Sequence, residues 1–223
     1  MSQNRPKHRI AVGVMGSAGG NITERTRRVV RRLGRDVARR GWVLVTGACP
    51  GIPHEAVLGA RKEGGIVVGI SPALNFAEHL LKYRSPWEGY DAIVYTGSGL
   101  MGREIENIRS CDMVIFAGGR SGTLGEFAIA YDEAKLIGVL KGSGGIADRI
   151  EDIIRFMDKD TGATVVYEED PVRMLDALLR IYDAKILPYM RTVIANRSPS
   201  GKHASESGPR RARSWRGADQ RSE

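Results

Sequence analysis

The 223-residue chain has only two cysteines, Cys49 and Cys111. They stand far apart and match no metal-ligand spacing, so no metal site is expected. Both read as small buried apolar residues of a protein from a reducing compartment. Long apolar runs are missing as well. Nothing approaches the length of a membrane span, and the opening MSQNRPKHRIAVGVMG has too short an apolar stretch for a signal peptide. The expected location is the cytoplasm, without a membrane partner. The G-x-G-x-x-G dinucleotide fingerprint is absent too: the first glycines are Gly13, Gly16, Gly19 and Gly20. No acid stands clearly at the end of the second strand to hold a ribose, so an NAD-type dehydrogenase is disfavoured. Nor does the body of the chain carry much net charge. From Arg191 onward eight Lys/Arg meet three acids, and this surplus of five is most of the overall +8.

What is present is an ordinary globular composition, 42% hydrophobic and 27% charged. Short apolar β-prone runs alternate with helical periodicity. Strands are expected at Arg9–Met15, Trp42–Thr46, Ile66–Ile70, Ala92–Tyr95, Met113–Phe116, Ile137–Leu140 and Thr164–Tyr167. The expected helices are Thr23–Arg40, His54–Glu63, Arg103 to near Cys111, one from about Leu124, Ile146–Met157 and a last one at Pro171–Asp183. Residues 71–90 read as a long loop with a short helix, a length often tied to function. Alternation of this kind implies an α/β, Rossmann-like, doubly wound and mostly parallel sheet of about seven strands, with helices on both faces. The expected organisation is one domain over residues 1–190 and a basic, disordered tail over 191–223. The tail could touch nucleic acid, with Trp215 to stack on a base, but a solvated tail is the preferred reading and nucleic acid is disfavoured as a partner. Deleting residues beyond about 196 should leave the melting temperature nearly unchanged. A large drop would show that the tail packs on the domain.

Several strands run into glycine turns, and ligands of open α/β sheets bind beside such strand carboxyl ends. The richest turn lies in DMVIFAGGRSGTLGEFAIAYDEAK, Asp112–Lys135. A strand ends at Phe116, glycines 118, 119 and 122 follow, and a helix begins. A helix start reached through glycines presents free N–H groups and a positive dipole end to a phosphate. Candidate phosphate- or nucleotide-binding residues are Gly118, Gly119, Arg120, Ser121, Gly122 and Thr123. Gly16 and Ser17, Gly47, and Gly97 and Gly99 come from the other glycine turns. Thr123 could instead cap its helix with Glu126 as capping-box partner, and Arg103 could be a solvated residue opening its helix. His54 reads as a solvated helix-start histidine.

Together these turns resemble the Lonely Guy (LOG) superfamily, whose members are often labelled lysine decarboxylases, and within it the branch of molybdenum-cofactor carrier-like proteins. IAVGVMGSAGG, GARKEGGIVVGISP, REIENIRSCD, GGRSGTLGE and LKGSGG carry the resemblance, from about Ile10 to Ile150. The family motif P-G-G-x-G-T-x-x-E lies on Gly118 to Glu126, with Gly118 at the proline and Arg120 at the second motif glycine. Arg120 therefore either contacts phosphate itself or alters the pocket. Arg103 matches the family's catalytic arginine, but its usual Met-His and Lys neighbours are absent. The resemblance implies Arg103 and Glu126 as catalytic residues in hydrolysis of the N-glycosidic bond of a nucleoside 5′-monophosphate. The alternative it implies is a non-catalytic binding or carrier protein for a nucleotide-like or molybdenum (pterin) cofactor ligand. No cofactor is required for the first; a bound nucleotide or molybdenum cofactor fits the second. An AMP-like small ligand and a homodimer or higher homo-oligomer are the implied partners.

Overall fold

A computed structural model describes residues 8–196; of the disordered tail expected over 191–223, residues 191–195 instead belong to a helix, Leu187–Ala195, and the part from 197 on lies outside the described residues. The element order is β1 Ala11–Gly16, α1 Glu24–Arg39, β2 Val43–Thr46, α2 Ile52–Lys62, β3 Ile66–Ser71, α3 Phe76–Leu81, β4 Ala92–Tyr95, α4 Gly99–Arg109, β5 Met113–Ala117, α5 Ser121–Asp132, β6 Leu136–Leu140, α6 Ile150–Met157, β7 Thr164–Glu168, α7 Pro171–Ile181 and α8 Leu187–Ala195. The seven strands form one all-parallel sheet in the order β4-β3-β2-β1-β5-β6-β7. The Rossmann-like α/β fold expected from the alternation is the fold found.

The period-2 alternation of each strand feeds two cores. Val12, Val14, Leu44, Met113 and Ile115 pack against α1, α2 and α7 on one face. Met15, Val45, Val114, Phe116 and Ile137 meet α4, α5 and the start of α6 on the other. Central β5 is buried along its whole length, as a strand covered on both faces must be. The β4 edge is half exposed.

Several boundaries depart from expectation: α2 starts at Ile52 rather than His54, and α6 starts at Ile150 after a 3-10 turn over Gly145–Arg149 rather than at Ile146. The helix expected to open at Arg103 opens four residues earlier, at Gly99. The helix expected from Leu124 starts at Ser121, so Thr123 is inside the first turn and cannot be its N-cap. Pro171–Asp183 is not the last helix: a π turn at Tyr182–Ile186 leads into α8. Pro188 sits in the first turn of α8, directly after the π turn. No helix among the described residues is long and apolar enough to cross a membrane.

Candidate functional site

Strand order reverses between β1 and β5: chain connections leave β1 toward β2 on one side and β5 toward β6 on the other. A crevice opens beyond the strand carboxyl ends at such a switch point. β5 ends at Ala117, and the chain then turns through Gly118 (φ +57°) and Gly119 (φ +102°). Only glycine adopts these values without strain. The turn is tied down on every side. The Gly118 N–H donates to Ser143 Oγ (2.8 Å) and the Gly119 N–H to Ser17 Oγ (3.1 Å). Their carbonyls accept from Ala147 and Ile146. Gly118 and Gly119 therefore build the turn rather than offering their own N–H groups to a ligand.

The next residues make that offer. Arg120 is the N-cap residue of α5, with no side-chain cap, and the first turn of α5 contains no acid. The Thr123 side chain does not cap: it packs under the turn, where a Cβ on Gly119 would fall 2.5 Å from its Cγ2. The N–H groups of Ser121, Gly122 and Thr123 thus have no intrahelical partner. Arg120 is exposed and lies over the Gly19–Gly20 turn. On the other flank, the Glu104 carboxylate rests against α5, with its oxygens 3.3 and 3.1 Å from where Cβ atoms of Gly122 and Gly125 would stand. Burial pushes the Glu104 carboxyl up, and the Arg103 charge opposes this.

Arg103 is in the second turn of α4 and only 7% exposed; Glu126 is 6% exposed. Both simple readings fail here. Arg103 is not a solvated helix-opening cation, and Glu126 is not a capping-box partner. Instead Arg103 Nη1 donates to Glu126 Oε1 at 3.1 Å. Burial pushes the Glu126 carboxyl up to about 7; Arg103 works against the shift and Glu104 adds to it. Arg103 Nε and Asn107 Oδ1 are buried without hydrogen-bond partners among the described residues. The guanidinium lies against Gly47, where a Cβ would come within 2.4 Å of Nη1. Gly47 is therefore needed for close approach. Cys49, expected to be buried, is only half-buried and lines the cleft beside the pair, its thiol pushed up to about 11 by desolvation against the lowering effect of Arg103. Cys111 is buried, as expected, and donates to the Asn107 carbonyl.

These groups line one cleft of about 530 Å3. It brings together Gly16, Ser17, Gly47, Arg103, Arg120, Ser121, Gly122, Thr123 and Glu126. Gly97 and Gly99 do not line it. They belong to the turn after edge strand β4, bound through their N–H groups to the Ala73 and Pro72 carbonyls, and only Leu100 of that connection reaches the cleft. Gly118 and Gly119 lie behind the wall for the reason given above. His54, half-buried rather than solvated, also stays outside.

Sequence reasoning missed Glu104, Lys82, Tyr83 and Ser85 on the rim. The last three come from the long segment 71–90, whose length was the available signal. A buried histidine fastens that segment. His79 Nε2 donates to the Pro86 carbonyl (3.0 Å), which fixes the tautomer, and Nδ1 then accepts from the Ser71 hydroxyl (2.9 Å).

Comparison with known proteins places the chain. An uncharacterized protein of Archaeoglobus fulgidus is 33% identical over 130 residues, which are 58% of this chain and 79% of that one. The molybdenum cofactor binding protein of the phototrophic bacterium Rippkaea orientalis superposes with a TM-score of 0.65 at 27% identity, covering 79% of this chain and 99% of that one. The molybdenum cofactor carrier protein of Chlamydomonas reinhardtii gives 0.64 at 25% identity, again covering 79% and 99%. Residues 9–175 match the SLOG cluster4 family throughout the sheet and the cleft, and the chain belongs to that family.

Proposed function

We propose that the cleft binds a phosphorylated, nucleotide-like ligand and that the protein acts as its binding or carrier protein. The ligand is a nucleoside 5′-monophosphate or the phosphate-bearing pterin of a molybdenum cofactor. The observation that carries this reading is the uncapped start of α5. Three N–H groups and the positive helix end open into the cleft beside Arg120, with no acid in that turn. Such an end favours a phosphate, and the cleft volume suits a mononucleotide-sized molecule. Likeness to the two molybdenum-cofactor proteins supports the carrier form.

The residues fit the cofactor. Ser121, Gly122, Thr123 and Arg120 would hold its phosphate. Arg103, with a buried Nε donor lacking a partner, supplies a further polar anchor. When bound, the cofactor would bring a redox-active molybdenum centre, and these residues would hold and orient it.

A second reading rests on the buried Arg103–Glu126 pair. In hydrolysis of a nucleoside 5′-monophosphate, ionised Glu126 would orient water toward the anomeric carbon and steady the oxocarbenium-like state. The glycosidic bond breaks, the base leaves with a proton, and ribose 5-phosphate remains. Glu126 is ionised only above about pH 7, so turnover by this route rises with pH and is half-maximal near pH 7.

One experiment separates the readings. The full chain is titrated calorimetrically with AMP and with a phosphorylated pterin, and the AMP mixture is then analysed for free adenine. A carrier binds and releases no adenine. Adenine formation with the stated pH profile selects hydrolysis. Failure of both ligands to bind removes both readings.

We also assign the implied homo-oligomer to the β4 edge. Phe76, Leu81, Trp87, Val94 and Met101 are exposed large apolar residues of α3, β4, α4 and the loops between them. Such a concentration is typical of an interface. Light scattering should give at least twice the chain mass, falling to the monomer mass in Leu81→Asp/Met101→Asp. A monomeric wild type rules the assignment out.

A further inference from the structure

Glu104 lines the cleft one residue past Arg103, on the flank of the α5 start. Two glycines let its carboxylate in. A Cβ on Gly122 would stand 3.3 Å from one of its oxygens, and a Cβ on Gly125 would stand 3.1 Å from the other. Gly122 and Gly125 share one face of α5, so together they form a notch along the helix, and the carboxylate lies in it. The acidic head is thereby held beside the first turn of α5, whose N–H groups open into the cleft.

That head has nothing to bind within the described residues. Of the two acids lining the cleft, Glu126 accepts from Arg103, whereas Glu104 makes no hydrogen bond. Neither Glu104 oxygen is among the sealed polar atoms without a partner, so both stay accessible. A half-buried carboxylate at this place is unfavourable by itself, because it repels the phosphate that the helix start attracts. A donor on the ligand, close to its phosphate, offsets that cost. A cationic donor is disfavoured by Arg103 and Arg120 in the same cleft. A bridging divalent cation needs several oxygen ligands, and no group of three metal-ligating side chains occurs among the described residues. Neutral hydroxyls remain. A carboxylate accepts from two neighbouring O–H groups at once, in bonds strengthened by its charge. A ribose offers such a pair on adjacent carbons, a few bonds from its 5′-phosphate. Dinucleotide folds hold a ribose with an acid after the second strand; here Gly47, Ala48, Cys49 and Pro50 follow β2 and supply none.

We infer that Glu104 is a specificity-determining residue of the cleft: its carboxylate, seated in the Gly122–Gly125 notch, accepts from the vicinal hydroxyls of a ribose 5′-phosphate, and the ligand class is a ribonucleoside 5′-monophosphate. The inference rests on the phosphate site proposed at the α5 start. A ligand without vicinal hydroxyls beside its phosphate leaves this carboxylate unpaired.

The test is calorimetric titration of the full chain, in buffer containing EDTA, with AMP and with 2′,3′-dideoxy-AMP. The wild type should bind AMP at least about tenfold more tightly, since the dideoxy ligand leaves a half-buried acceptor unpaired. In Glu104→Ala the two affinities should agree to within about twofold. Dideoxy-AMP should bind the variant no more weakly than the wild type, because the charge removed repels its phosphate. Equal affinities in the wild type, a preference for AMP that survives in Glu104→Ala, or an equal weakening of both ligands overturns the inference and leaves the phosphate site standing. So does a preference that appears only when Mg2+ replaces EDTA, which makes the carboxylate a metal ligand. Failure of both ligands to bind the wild type removes the phosphate site and the inference with it. If Glu104→Ala does not fold, as judged by its melting curve, Glu104→Gln, with one acceptor oxygen in place of two, is the replacement and must also reduce the preference.

Discussion

Arg103→Ala should destabilise the fold by about 3–5 kcal/mol, and by more at alkaline than at acid pH. The pair is buried on both sides, so removing the cation leaves the Glu126 carboxyl buried without its counter-charge and still facing Glu104. The sign with pH follows from the carboxyl. Its folded value, about 7, lies above the ordinary carboxylate value. Its contribution to stability is therefore fully present below the unfolded value and is lost as pH rises through about 7. Arg103 lowers the folded value, so its removal raises it further, and the variant keeps losing stability over a wider alkaline range. Thermal unfolding at pH 6 and at pH 8.5 reads this directly: the gap to wild type should widen at the higher pH. A gap independent of pH would mean that the guanidinium does not govern Glu126. In the same variant the cleft loses a buried donor, so nucleotide binding weakens as well. Glu126→Gln separates the roles. The amide keeps the shape and loses the charge, so any turnover disappears while AMP affinity stays within a few-fold of wild type.

Gly34→Ala should lower the melting temperature by roughly 6–12 °C, the equivalent of about 3 kcal/mol in a domain of this size. The direction is informative, because intrinsic propensity points the other way: Ala is better than Gly inside a helix by about 1 kcal/mol. Here the added methyl would meet the carbonyl oxygen, carbonyl carbon and Cα of Ala56 at 2.0, 2.8 and 3.0 Å. All three are backbone atoms of α2, so no rotamer change relieves the clash and the helices must part. The separation would open the packing of Val30 and Leu33 against Ala56 and Val57 and add a cost typical of overfilled cores. Gly59→Ala should behave alike, since its clash is with the Arg31 carbonyl. A melting temperature unchanged or raised in Gly34→Ala would show that the α1–α2 contact is looser than described.

The strands were legible because each is a local matter of a few consecutive apolar residues. Met113–Phe116 was expected and Met113–Ala117 is found. Alternation with helices implied parallel pairing, and handed crossovers leave few other arrangements. The turn at Gly118–Gly119 was visible for the same reason: glycine pairs announce backbone that other residues cannot adopt. Resemblance to a family motif singled out Arg103 and Glu126, but nothing between residues 103 and 126 says that they touch. That contact needs α4 and α5 on one face of the sheet. The place of the cleft needs β1 beside β5, a pairing of strands a hundred residues apart. Helix starts were misread where the deciding partner lies far along the chain: Thr123 looks like a cap until the Gly119 turn closes over its methyl. Lys82, Tyr83 and Ser85 reach the rim because His79 fastens their segment. Tertiary structure alone decided these points, since burial, ion pairing and the closeness of two backbones depend on what lies across the fold, whereas strand and turn propensities depend on what lies next in the chain.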